Sequence, residues 1–149
     1  MLTPSDMIAA HSVALPSDGG GAPEWVHLLP MGRFQGRDGR GPYVLRDMAH
    51  AQQVIANTAA HQRGADVPGD YDHQILYAEK NGQPAIASGW IKALEARADG
   101  LWGKVEWTSA AAQRIQAKEY RYLSPVFGHA KDGTVTRLAI VSLTNIPNL

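Results

Sequence analysis

Residues 120–147 read YRYLSPVFGHAKDGTVTRLAIVSLTNIP, and how this stretch divides decides the fold. Two runs rich in aromatic and β-branched residues, YRYLSPVF and TVTRLAIVSLTNIP, flank GHAKDG, a cluster of turn formers. So short a connection makes the two strands antiparallel neighbours. Alternation in the first run puts Tyr120, Tyr122, Ser124 and Val126 on one face, and Leu123, Pro125 and Phe127 on the other. Pro125 has no N–H to donate, so the ladder is interrupted beside Ser124. An interrupted ladder is where a strand can present a side chain to a ligand. The plainer reading of Ser124 is an edge-strand serine.

Upstream, the same strand-and-turn grammar continues. EWVHLLP (24–30) reads as a strand and residues 71–108 as strand-rich, with KNGQ and RADG as turns. Two helices interrupt the series. Residues 45–64 place Met48, Gln52, Ile55 and Ala59 on one helical face, with Asp47 to cap the start and Gly64 the end. SAAAQRIQAKE (109–119) forms a second, shorter helix behind Thr108 or Ser109. The Gly- and Arg-rich loop 31–42 contains neither a P-loop nor a GxGxxG pattern. The expected class is α+β, mainly β with flanking α-helices: an antiparallel, closed or partly closed β-barrel with both helices outside it. Residues 1–22, ending in SDGGGAP, read as a mobile lead-in to a single domain over 23–149.

Bulk composition narrows the chemistry. The 149 residues carry 14 Lys plus Arg and 14 Asp plus Glu, so there is no basic surplus to recruit nucleic acid or an anionic membrane. The absence of cysteine removes thiol catalysis, thiolate metal sites and disulfides, and fits a reducing compartment. No apolar run approaches the roughly 18 residues of a membrane span, and the N-terminus lacks the pattern of a signal peptide. The expectation is an intracellular protein that needs no cofactor.

Residues 69–77, GDYDHQILY, carry the other chemistry-bearing cluster. Read as a strand, Tyr71, His73, Ile75 and Tyr77 share one face, while Asp70, Asp72, Gln74 and Leu76 share the other. Asp72 and His73 then point apart, which weakens a metal site at Asp70, Asp72 and His73. It equally weakens Asp72 as the carboxylate that orients His73. A bulge or an early strand end would restore either role. His73 and Ser124 together offer a base and a nucleophile on two different strands, and a serine hydroxyl needs such a base at neutral pH. No GxSxG elbow is present. Pro125 also removes the amide just after the serine, so an oxyanion needs donors from elsewhere, such as a loop near Arg137 or a water.

The stretches HLLPMGRFQGRDGR, DYDHQ, GWIKALEARADGLWGKVEWT, YRYLSPVF and LTNIPNL occur in that order. In this ordered combination the chain resembles the Mu-like phage I protein family of prohead maturation proteases. That family is similar to the wider group of phage prohead and herpesvirus assembly proteases. The resemblance implies a β-barrel flanked by helices and a serine endopeptidase of phage head maturation, with Ser124 as nucleophile and His73 as general base. It implies scaffold and capsid proteins as substrates, together with self-cleavage inside the procapsid in the host cytoplasm. The third catalytic member does not carry over: where related proteases place an acid before a VSL-like stretch, this chain has Ile140. Glu106 is the first candidate for that role, then Asp72, then Asn145. The competing reading is a non-catalytic assembly module with the same barrel.

Overall fold

The computed structural model describes residues 7–16 and 21–146. In chain order the elements are β1 (Met7–Ala10), β2 (Val13–Ala14), β3 (Trp25–Pro30), β4 (Gly32–Phe34), β5 (Tyr43–Leu45), α1 (Met48–Gln62), β6 (Val67–Tyr71), α2 (Gln74–Asn81), β7 (Gly89–Arg97), β8 (Gly100–Trp107), α3 (Ser109–Gln116), β9 (Tyr122–His129) and β10 (Val135–Thr144). The strands form one curled half-barrel sheet in the order β1-β9-β10-β6-β7-β8-β3, with β2 also on β9. β4 and β5 make a separate two-stranded ribbon.

The hairpins read from the sequence are present: β9–β10 and β7–β8 pair antiparallel, the latter turning at Ala98 and Asp99. Of the closed and partly closed forms expected, the sheet takes the partly closed one: among the described residues it ends at β1 on one side and β3 on the other. Two features depart from expectation. The sheet is not uniformly antiparallel, because β10 lies parallel to β6, with Val141, Ser142 and Leu143 beside Gly69, Asp70 and Tyr71. Part of the lead-in expected to be mobile is paired, Met7–Ala14 running antiparallel along β9; residues 1–6 and 17–20 of it lie outside the described residues.

A third helix, α2, takes the place of the end of the strand expected along 69–77 and the start of the turn expected at 80–83. Gln, Leu, Ala, Glu and Lys in this stretch are good helix formers. The Asn-Gly pair read as a hairpin turn is instead the helix end: Gly82 adopts φ 68° and its N–H bonds to Ala78 O at 2.9 Å.

Alternation sorts the sheet into two faces. Leu123, Phe127 and Leu143 point inward with Leu28, Leu29 and Leu101, all essentially inaccessible to solvent. Burying such a side chain contributes on the order of 1.5–3 kcal/mol. α1 packs Ala51 and Val54 into this core. Its buried stripe is His50, Ala51, Val54 and Thr58, not the expected Met48, Gln52, Ile55 and Ala59. The two polar members are there because β10 is bulged: its register shifts leave main-chain groups unpaired. His50 Nε2 donates to Val135 O at 2.8 Å, and Thr58 Oγ1 accepts from Leu138 N at 3.0 Å.

Candidate active site

The opposite face of the sheet carries a polar row. β9 and β10 set Ser124 directly against Ser142, and β10 and β6 set Ser142 against Asp70. The register from Ala10↔Val126 to Val13↔Leu123 continues the row one strand further, placing Ser12 across from Ser124. Ser124, Ser142 and Asp70 are completely buried and His73 is 2% exposed.

His73 reaches this row because β6 ends at Tyr71. Asp72 (φ 54°) and His73 (φ 60°) both take the left-handed conformation, which Asp and His adopt more readily than most residues. Two such residues turn the chain sharply into α2 and invert the strand parity, so His73 comes to the face of Asp70. Ile75 and Leu76 then pack α2 against Val126, Ala139 and Ile140, covering the row. Gly69 lets β6 lie this deep, since a Cβ there would stand 2.9 Å from Ser88 Oγ and 3.2 Å from Val141 O.

The hydrogen bonds run in one direction. Ser142 Oγ donates to Asp70 Oδ1 in a very short contact, and Asp70 Oδ2 accepts from Ile75 N at 2.9 Å. With its single proton committed to the carboxylate, Ser142 Oγ is left to accept, and His73 Nδ1 stands 3.1 Å away. That assigns the proton to Nδ1 and leaves Nε2 as the basic nitrogen. Nε2 has no partner, and neither does Ser124 Oγ. Burial pushes the Asp70 carboxyl above its ordinary value, against the Ser142 and Ile75 hydrogen bonds that lower it. Burial likewise lowers His73, against the opposing charges of Asp70 and Asp72. A neutral imidazole with a free lone pair is the form a general base requires.

The other expected residues stand elsewhere. Glu106 is not brought to His73: it is exposed on β8, opposite Trp90, and its charge acts on Lys92. With β7 between β8 and β6, it lies about 10 Å across the sheet from the Asp70 strand. Asp72 accepts from Tyr120 Oη at 2.8 Å, and burial, with this contact behind it, raises the Tyr120 pKa to about 12. Asn145 bonds the main chain of Glu119 and Arg121. Among the described residues no group of three or more His, Asp or Glu is placed to hold a metal ion. Sequence reasoning missed Asp70 and Ser142 as partners of His73. The available signal was Ser142 standing inside a run of fully buried apolar residues, where a hydroxyl needs a partner.

Two cavities flank α2. One of about 510 Å³ lies beside α2 and includes Pro68, Ile75, Trp90, Arg137 and Ile140 in its walls. A smaller one of about 130 Å³ reaches His73 itself between α2 and β1.

The half-barrel sheet thus carries a buried imidazole, two serines and a carboxylate on one face, and comparison with known sequences gives the chain a family. Residues 26–149 match the model of the Mu-like prophage I protein, N-terminal domain, so the chain belongs to that family. It is 36% identical over 137 residues to the Mu-like prophage FluMu I protein of Haemophilus influenzae, an alignment covering 84% of this chain and 38% of that protein. To Protease I of Escherichia phage Mu it is 34% identical over 151 residues, covering 93% of this chain and 40% of the relative. The chain thus spans about two fifths of the length of these relatives. No solved structure matches it. No helix among the described residues is long and apolar enough to cross a membrane.

Proposed function

We propose that the chain is the catalytic domain of a serine endopeptidase of phage head maturation, with Ser124 as nucleophile and His73 as general base. The observation that carries this is the pair of buried, unpartnered atoms, Ser124 Oγ and His73 Nε2: no hydrogen bond joins them, but Ser124 lies opposite Ser142 in the ladder and His73 meets Ser142 through its other ring nitrogen, Nδ1. A buried hydroxyl and a buried ring nitrogen left without partners cost about 1–3 kcal/mol each, a cost tolerated where chemistry needs them. Similarity to Protease I of phage Mu supports the reaction class. Substrates are proteins of the assembling phage head, cut in the host cytoplasm.

In the reaction, Nε2 takes the Ser124 proton as Oγ attacks the scissile carbonyl, and later returns it to the leaving amine. The imidazolium formed in between keeps its Nδ1 proton directed at Ser142 Oγ. Ser142 in turn is directed at Asp70. The carboxylate thus acts on the ring through a hydroxyl, in the orienting role sought for Glu106. Pro125 supplies no amide beside the nucleophile, so oxyanion donors come from outside β9.

A second reading has its own observation: Ser142, not Ser124, is the serine hydrogen-bonded to His73. Labelling with a fluorophosphonate followed by peptide mapping separates the two. An adduct on the Ser124 peptide, lost in Ser124→Ala and retained in Ser142→Ala, is the expected result. An adduct on Ser142 reverses the assignment. No adduct on either, in folded protein that still cleaves, overturns serine catalysis.

A further inference from the structure

The edge of β9 beside Ser124 is already occupied by this chain's own N-terminal segment. Met7–Ala14 pairs with β9 antiparallel from His129 to Tyr122. His11 N donates to Pro125 O at 3.0 Å and Leu15 N to Arg121 O at 2.9 Å, so the pairing is continuous past the serine. Ser12 stands opposite Ser124, and both hydroxyls are buried without a partner. The ring of His11 lies edge-on to Phe34, 5.1 Å between centroids, which fastens the segment at the same level. Ile8, Ala9 and Ala10 wall the small cavity that reaches His73.

An extended peptide binds a sheet edge by adding a strand, its main chain supplying the affinity. Only β9 bears the candidate nucleophile and forms such an edge once β1 and β2 are set aside. Resting on the protease reading, the geometry points to Met7–Ala14 as an autoinhibitory strand: it fills the edge where a substrate's extended main chain adds, crossing Ser124 at Ser12, and cleavage requires its displacement. The edge accepts more than it gives at this point, because Pro125 has no N–H; the incoming strand must donate to Pro125 O as His11 now does. The ordinary state of the domain is therefore shut at this edge, while α2 covers Ser124 from the face.

Two variants move the segment in opposite directions without touching Ser124, His73, Ser142 or Asp70. His11→Pro removes the amide bonded to Pro125 O and the ring against Phe34. Ala10→Cys with Val126→Cys joins directly opposed residues and, once oxidised, ties the segment down. The rate of fluorescein-casein hydrolysis should rise about ten-fold or more in His11→Pro, and oxidised double-cysteine protein should be about ten-fold slower than the same sample after reduction, as expected when the competent state is a minor population. The oxidised and reduced comparison is internal, so it holds even where His11→Pro folds poorly. Equal rates before and after reduction overturn the inhibitory role while leaving the protease reading intact. Docking is read separately, in the Ser124→Ala background, by fluorescence anisotropy of a labelled octapeptide with the sequence of residues 7–14. Binding that is about ten-fold tighter to His11→Pro than to the parent supports the shared edge even if no variant hydrolyses casein, an outcome that would sink the protease reading alone. Octapeptide binding no tighter to His11→Pro than to the parent counts against the shared edge.

Discussion

Helix α1 runs fifteen residues, starts on a capping aspartate and buries four side chains, whereas α2 runs eight, starts on a left-handed histidine with no side-chain cap and buries none. α1 is sewn to bulged β10 by His50, Asn57 and Thr58, each bonding its main chain. α2 is laid over the polar row by Ile75 and Leu76, with the Ile75 amide on Asp70. One helix holds the sheet together; the other covers groups that the sheet alone would leave exposed. Where stability is built, polar side chains find partners. Where reactivity is proposed, Ser124 Oγ and His73 Nε2 do not.

The largest expected effect belongs to the covered row. His73→Ala should reduce self-cleavage or casein hydrolysis by on the order of 10³-fold, as Ser124→Ala should, and the double variant should lose little more, because members of one catalytic unit are strongly non-additive. Additive losses, measured as single-turnover rates, would break the contrast by making the two residues independent. On the α1 side, Val54→Ala should cost roughly 2–3 kcal/mol of unfolding free energy in urea titration, the cost of a cavity in a fully packed site. Its hydrolysis rate at 25 °C should match the parent's. A loss of rate larger than the loss of folded fraction would show that the two regions are coupled.

Asp70→Asn sharpens the comparison through pH. Burial lowers His73 and the Asp70 carboxylate opposes that, so removing the Asp70 charge should move the acid limb of kcat/KM lower. The same substitution should raise stability at neutral pH. Burial lifts the Asp70 value above that of the unfolded chain, so its folded-state penalty is absent at low pH and grows as pH rises through the carboxylate range. Asn carries no such penalty. A melting temperature that gains at pH 7 and not at pH 3, with activity reduced but its acid limb still measurable, is the expected pattern. The smallest effect is for Glu106→Gln, which should leave rate and pH profile unchanged; any shift of the acid limb would return Glu106 to the site.

The two helices also mark what could be read from the sequence. α1 was legible because fifteen residues of helical period between Asp47 and the glycine after Arg63 leave little choice, although the buried side was misplaced by weighing Met48 above His50 and Thr58. α2 was not legible, because eight residues of GDYDHQILY and its sequel fit a strand as well as a helix. The strand reading put His73 and Asp70 on opposite faces. It failed at one dihedral pair, Asp72 and His73, whose left-handed turn has no signature like that of glycine. Ser124 was visible through Pro125, a local mark. Ser142 and Asp70 were invisible as a pair because only the parallel docking of β10 on β6 brings them together, 72 residues apart.

That docking has a consequence for synthesis. Asp70 and His73 emerge from the ribosome with β6 and α2, but both serines wait for β9 and β10, and the parallel pair closes a long loop, which is slow. A nascent chain ending at α3 thus holds a base and a carboxylate with nothing to activate. Under the proposed mechanism the final strand works as a birth-order lock: base and nucleophile come together only after nearly all of the described chain is made.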